Sequence, residues 1–180
     1  MVGVGGAGCS IADKIGRSLG CDVLVVNLAS ELKNGVARDR KLPLETHGGR
    51  LPTISMVEAT VGEVSGKFQE ILSGKRKVII AVGLGGHTGS WAAPALARIA
   101  RSLGLHVTAV STLPFSFEVE RRVVSEAALQ KLHDEVDALV LHDHAVESPT
   151  GRALRESLDT YFDRVAKELS AKLVTLTAVN

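Results

Sequence analysis

Short apolar runs alternate along this chain with longer segments in which apolar residues recur every three or four positions. Short runs rich in Val, Ile and Leu are typical of buried strands, and the wider spacing is typical of helices that pack on one face. The pattern predicts strands near 1–4, 22–27, 77–83, 105–112 and 136–142, with a short edge strand near 41–46, and helices near 8–19, 54–73, 91–103, 118–132 and 151–172. This alternation favours an α/β fold: a Rossmann-like, mostly parallel sheet with helices on both faces.

Two glycine-rich segments lie where a predicted strand gives way to a predicted helix. They are Gly3 to Ser10 and Gly83 to Ser90. Glycines let a ligand approach the backbone, and the N–H groups at a helix start are unpaired and carry positive partial charge, which suits phosphate. Either segment alone is equally well explained as a plain strand-to-helix turn. Because parallel strands place their carboxyl ends at one edge of a sheet, the pair predicts a phosphate site between 5–10 and 85–90.

Composition and charge narrow the class of protein. The chain has 180 residues, of which 45% are apolar and 3% aromatic, so we expect one domain, 1–180, with an aliphatic core. A net charge of +1 argues against a nucleic-acid-binding surface. No apolar run reaches the length of a membrane span, and the start of the chain lacks a signal-peptide pattern. Two cysteines, Cys9 and Cys21, are typical of reduced thiols in a cytoplasmic protein.

Three motifs, taken in order, resemble the GTP-binding domain of the FtsZ/tubulin superfamily, and the FtsZ branch more than tubulin. They are the loop 3–8, the segment 83–94, and Pro114 to Glu118 with the arginines that follow it. The resemblance implies that the chain binds a purine nucleotide, GTP or GDP, with Mg²⁺ held through the phosphates. It also implies a cytoskeletal or cell-division role, with self-association or an FtsZ-family partner.

The resemblance also implies roles for single residues. On the phosphate side, the nucleotide-binding residues would be Gly5, Gly6, Ala7, Ser10, Gly85, Gly86, His87, Thr88, Gly89 and Ser90, with Gly48 and Gly49 as a loop that senses the γ-phosphate. On the nucleoside side, Glu118 would accept hydrogen bonds from the ribose and Arg122 would donate to ribose or phosphate. Tyr161, on the last helix, would stack on the guanine. For Tyr161, packing at the margin of the helix explains its position equally well.

The chain departs from the family pattern at several positions. His87 and Trp91 replace glycines, and Leu28-Ala29-Ser30 stands where the family has Thr-Asp-Ala. The guanine-reading pair of the family falls near Val165 and Ala166, so we expect weak discrimination between bases. The second domain of the family, which carries the acidic residues that activate water, has no counterpart here, so weak or absent hydrolysis is expected.

Other functions fit parts of the sequence. A Rossmann-type dinucleotide-binding oxidoreductase would use the literal G-x-G-x-x-G, but it needs an acidic residue after the second strand, where this chain has Asn27. A degenerate family member could instead retain the fold as an interaction module with an empty pocket. His133, His142 and His144 are candidate metal ligands, but two imidazoles on one strand end do not complete a zinc site, so no metal site is predicted.

Overall fold

The computed structural model describes residues 1–32, 40–45, 53–146 and 157–178. These residues form six strands: β1 (Val2–Val4), β2 (Leu24–Leu28), β3 (Lys41–Leu44), β4 (Lys77–Gly83), β5 (His106–Leu113) and β6 (Ala138–Asp143). They also form five α-helices: α1 (Gly5–Leu19), α2 (Ile54–Leu72), α3 (His87–Ser102), α4 (Val119–Asp134) and α5 (Leu158–Ala178). A short 3₁₀ turn, Ala29–Glu31, follows β2.

The strands form a single parallel sheet in the order β3-β2-β1-β4-β5-β6. The predicted α/β class, with a Rossmann-like parallel sheet, is therefore confirmed. The edge strand expected near 41–46 is β3, and Pro43 is tolerated there because an edge strand pairs on one side only.

Helices cover both faces of the sheet. Successive strand residues point to opposite faces, and on β5 Ala109 packs into a cluster with α2, α3 and α4, whereas Val110 packs with α1 and α5. Aliphatic side chains fill both clusters, as the composition predicts. The aromatic exceptions are Phe68 and Trp91 in the first cluster and Tyr161 in the second. No helix of the described residues is long and apolar enough to cross a membrane.

Two helices begin earlier than the sequence pattern predicts. Helix α1 begins at Gly5 instead of near residue 8, and α3 begins at His87 instead of near 91. The predicted starts were late because glycines lower intrinsic helix propensity, while packing against the sheet overrides that local preference. Thr88, Gly89 and Ser90 consequently form the first turn of α3. Helix α5 is described from Leu158 and ends beyond its predicted bound near 172; its predicted first turns lie outside the described residues.

Candidate functional site

The strand order changes direction between β1 and β4, which are neighbours in the sheet. From β1 the chain proceeds to β2 and β3 on one side, and β4, β5 and β6 continue on the other. Helix α1 leaves β1 directly, and α3 leaves β4 after three residues. Both helices therefore start at the point of an α/β sheet where ligands most often bind.

The backbone packs so closely around the two glycine segments that several of their positions have no room for a side chain. A Cβ built on Gly5, which has a φ of 71°, would lie 3.0 Å from the backbone nitrogen of Gly89. A Cβ on Gly89 would lie 3.0 Å from the carbonyl oxygen of Gly83. A side chain at Gly5 would push the start of α1 away from α3, and a side chain at Gly89 would push the start of α3 away from the end of β4. Both glycines are therefore needed for the two helix starts to lie this close together.

Two other glycines face open space. Neither Gly6 nor Gly86 has an atom within 4 Å of its hypothetical Cβ. The adjacent Ala7 and His87 are exposed. The N-cap residues Val4 and Gly86 provide no side-chain hydrogen bond to the first turns of α1 and α3. In the described part of the chain, the helix starts are thus uncapped and accessible, an arrangement that attracts anions.

The hydroxyl groups of the site differ in accessibility. Ser10, on α1, is exposed. Ser90 is fully buried, and its Oγ accepts a hydrogen bond of 2.9 Å from the backbone N–H of Gly85. Thr88 is 8% exposed. Gly85 itself, with a φ of 100°, occupies a conformation that favours glycine. Ser90 therefore fixes the shape of the loop before α3, and Ser10 is the hydroxyl in contact with solvent.

The segment after β5 carries Glu118, whose carboxylate is engaged within the chain. One of its oxygens accepts from the backbone N–H of Phe115 at 3.0 Å, and the other accepts from Arg121 at 2.7 Å. The segment also abuts the phosphate side of the site, because a Cβ on Gly85 would lie 2.6 Å from Cγ of Pro114. The loop that carries Glu118 thus lies beside the glycine segment, and the Glu118 carboxylate holds this loop in shape.

Arg122 is also engaged. Its guanidinium donates to both carboxylate oxygens of Asp143 at 2.9 and 3.1 Å, and to the carbonyl oxygen of Pro114 at 2.7 Å. The hydrogen bond from Arg122 holds the pKa of the Asp143 carboxyl below its usual value and raises the pKa of the guanidinium. This pair ties the start of α4 to the end of β6.

Tyr161 lies at the carboxyl edge of the sheet, beside the end of β6. Its side chain is 3% exposed, and its hydroxyl is 2.6 Å from Nδ1 of His144. The ring centroid is 5.6 Å from that of Phe115, and the Arg164 guanidinium lies 5.1 Å from the ring centroid. In this structure the Tyr161 side chain is therefore packed among residues of its own chain.

The remaining candidates are placed as follows. Val165 and Ala166 are buried in the core on α5, at 2% and 6% exposure. Gly48 and Gly49 lie outside the described residues. The His142 and His144 ring centroids are 4.9 Å apart, whereas His133 lies on α4. Across the described residues, no group of three or more His, Cys, Asp or Glu side chains could hold a metal ion.

Sequence reasoning missed the roles of Asp143 and His144. From the sequence, Asp143 is assigned no role and His144 is treated only as a candidate metal ligand. The sequence contains a usable signal, because β5 and β6 were predicted as consecutive parallel strands. Their carboxyl ends must then be adjacent, which brings an acidic residue after β6 close to an arginine after β5. Choosing Arg122 over Arg121 as the partner requires the orientation of α4.

Comparison with known proteins agrees with the fold and the motifs. A family model described as the Tubulin/FtsZ family, GTPase domain, matches residues 55–145. The cell division protein FtsZ of Aquifex aeolicus is 29% identical across 100% of this chain and 53% of its own length. FtsZ 1 of Halobacterium salinarum is 31% identical across 87% of this chain and 42% of its own length.

Solved structures show the same likeness. An empty FtsZ dimer from M. jannaschii has a TM-score of 0.73 and 26% identity, covering 94% of this chain and 51% of that one. CetZ from Methanosaeta thermophila, at 18% identity and a TM-score of 0.72, shares the fold. The chain spans about half the length of the curated relatives it matches. The resemblance seen in the motifs is confirmed: this chain belongs to the Tubulin/FtsZ family.

Proposed function

We propose that this chain binds a purine nucleotide, GTP or GDP, with the phosphates between residues 5–10 and 85–90. The observation that carries the proposal is the open space over Gly6 and Gly86. This space lies in front of two uncapped helix starts, which converge where the strand order of the sheet changes direction between β1 and β4. The family to which the chain belongs is described as a GTPase domain, which favours GTP over other anions.

A magnesium ion fits such a complex through the phosphates. Segments 5–10 and 84–90 contain three hydroxyl side chains, Ser10, Thr88 and Ser90, and no carboxylate. Mg²⁺ commonly keeps several water ligands and binds substrate phosphates. The ion would accordingly be held by phosphate oxygens and water, with the exposed hydroxyl of Ser10 as the available protein ligand.

We expect the chain alone to hydrolyse GTP slowly or not at all. Phosphoryl transfer depends on a positioned water and on stabilisation of the developing charge. Segments 5–10 and 84–90 supply backbone N–H groups, hydroxyls and His87, but no carboxylate to orient the water. Release of inorganic phosphate from GTP by the purified chain should therefore stay near the background without protein. Turnover of several per minute would contradict this expectation.

A Rossmann-type oxidoreductase is less well supported. Strand β2, Leu24–Leu28, contains no acidic residue for a ribose hydroxyl, and the side-chain oxygen of Asn27 accepts from the backbone N–H of Leu28 at 2.9 Å. The family match also favours a nucleoside triphosphate over a dinucleotide.

The nucleotide proposal is tested by identifying any nucleotide that co-purifies with the chain, followed by calorimetry with GTP, GDP, ATP and NAD. Gly86→Leu should abolish binding, because the side chain would enter the open space where the phosphates are proposed to lie. Gly66→Leu is the matched control, since Gly66 is an exposed glycine on α2, also with nothing within 4 Å of its Cβ. Unchanged GTP affinity in a folded Gly86→Leu variant would exclude this placement. Tight binding of NAD alone would favour the oxidoreductase, and absence of all binding would favour an interaction module.

We further propose a cell-division or cytoskeletal role exercised through self-association or through another member of the family. The curated relatives are cell division proteins, and the similar M. jannaschii structure is an FtsZ dimer. Sedimentation velocity of the chain, with and without GTP, measures self-association directly. Mixing it with an FtsZ of the same organism measures the alternative.

A further inference from the structure

The two halves of the candidate site differ in how their groups are used. On the phosphate side, the helix starts at Gly6 and Gly86 are open to solvent. On the nucleoside side, the three side chains expected to contact ribose and base are all engaged with their own chain. They are Glu118, Arg122 and Tyr161.

The polar groups on the nucleoside side would have to exchange existing hydrogen bonds to contact a ligand. The carboxylate of Glu118 accepts through both oxygens, and the guanidinium of Arg122 makes three hydrogen bonds, two of them to Asp143. A bidentate, charge-assisted pair is among the stronger hydrogen-bonded contacts in proteins. Breaking such a contact to bond a ribose hydroxyl yields little net affinity, because the new hydrogen bond only replaces one that the side chain already makes.

The aromatic ring on the nucleoside side, that of Tyr161, is also in contact with other side chains of the chain. Tyr161 is 3% exposed, its hydroxyl is bonded to His144, and its ring lies among Phe115, Phe162 and the Arg164 guanidinium. His144 in turn stacks on Phe115, with ring centroids 4.8 Å apart. A base could stack on Tyr161 only by displacing the side chains that pack on its ring, among them Phe115, which itself packs against the second core cluster.

We propose that this site recognises the linked phosphates of its ligand and gains little from the nucleoside. Its ligand class is the polyphosphate anion, of which GTP, ATP and inorganic tripolyphosphate are all members. This inference rests on the proposed nucleotide binding between 5–10 and 85–90 and specifies which part of the ligand supplies the affinity. Tyr161 is a core residue of α5 and not a stacking surface.

The test compares GTP, ATP and inorganic tripolyphosphate by calorimetry on the native chain, at equal Mg²⁺ and salt. Affinities within about tenfold of one another are expected, because the shared phosphates carry the binding. GTP affinity more than about a hundredfold above that of tripolyphosphate would overturn the inference while leaving nucleotide binding intact. Failure of all three ligands to bind would instead overturn the proposed function and this inference with it.

Two variants separate stacking from packing. Tyr161→Leu removes the ring but keeps an apolar side chain, and Tyr161→Phe keeps the ring but removes the hydroxyl that bonds to His144. The ratio of GTP affinity to tripolyphosphate affinity should stay within about twofold of the native ratio in both variants. A base stacked on an aromatic ring contributes roughly tenfold or more in affinity. A tenfold fall of that ratio in Tyr161→Leu, but not in Tyr161→Phe, would show that the ring stacks on the base and would refute the inference. If Tyr161→Leu does not fold, the three-ligand comparison on the native chain still decides.

Discussion

Replacing Gly86 by aspartate places a negative charge at the start of α3 without disturbing the fold. Gly86 is the N-cap of this helix, with a φ of −91° and a ψ of 153°, a conformation that any residue adopts. A Cβ there meets no atom within 4 Å. Aspartate is among the preferred N-cap residues, and relative to glycine it changes helix stability by only a few tenths of a kcal/mol. The variant should therefore fold with unchanged or slightly raised stability.

The effect of this aspartate on a bound phosphate follows from Coulomb's law. Two like charges about 4 Å apart repel by roughly 1 kcal/mol in bulk water and by roughly 4 kcal/mol at an effective dielectric constant of about 20. Gly86 is half-buried, so the true value lies between these limits. A repulsion of about 2 kcal/mol corresponds to a nucleotide affinity about 30-fold weaker.

Gly86→Ser is the matched control, because serine caps the helix in the same geometry but carries no charge. Comparing the two variants separates the charge from the effect of filling the space. Binding of GTP is measured by calorimetry at low and high salt, and thermal unfolding checks that both variants fold. The difference between the variants should shrink at high salt, since screening weakens exposed charges. If Gly86→Asp binds GTP as tightly as Gly86→Ser, the phosphates do not lie at the start of α3.

Three further predictions concern the scaffold. Ser111→Ala should raise the free energy of unfolding by about 1 kcal/mol, as measured by chemical denaturation. The reason is that the Ser111 hydroxyl is fully buried and its Oγ has no hydrogen-bond partner among the described residues. Asp143→Asn should make the free energy of unfolding fall less steeply as the pH is lowered. Arg122 lowers the pKa of Asp143 in the folded state. The stabilisation from this carboxylate is therefore present above its unfolded pKa of about 3.9 and is lost as the pH falls through the folded pKa. Denaturation midpoints of native and variant chains from pH 7 to pH 2 check it, and parallel curves would contradict it. Gly8→Ala should destabilise the fold by about 1–3 kcal/mol, because its Cβ would lie 2.4 Å from a backbone oxygen of β4. The control Gly6→Ala should have little effect, and equal unfolding midpoints for the two variants would show that the contact at Gly8 is absent.

The secondary structure was largely predictable from local pattern. Periodicity and chain order predict β4, β5 and β6 to within a residue or two, because buried parallel strands consist of short aliphatic runs. The same information places the two glycine segments at one edge of the sheet. The alternation of strand and helix dictates that placement without any knowledge of side-chain contacts.

Several features of the site depend on tertiary contacts. Glycines look alike in a sequence, yet Gly89 is required by the close approach of α3 to β4, whereas Gly6 and Gly86 leave open space. The sequence cannot separate these roles, because each depends on which backbone passes within a few ångströms. The early start of α3 at His87 has a related cause, since packing against the sheet outweighs local helix propensity.

The sequence of this chain alone determined its family, its parallel α/β sheet and the edge at which its glycine segments meet. These properties follow from order and periodicity, which are written along the chain. Only the tertiary structure decided that Arg122 pairs with Asp143, and that Tyr161 is buried against His144. Those partners lie 21 and 17 residues apart, so their contact depends on how α4 and α5 are oriented on the sheet, which no local pattern specifies.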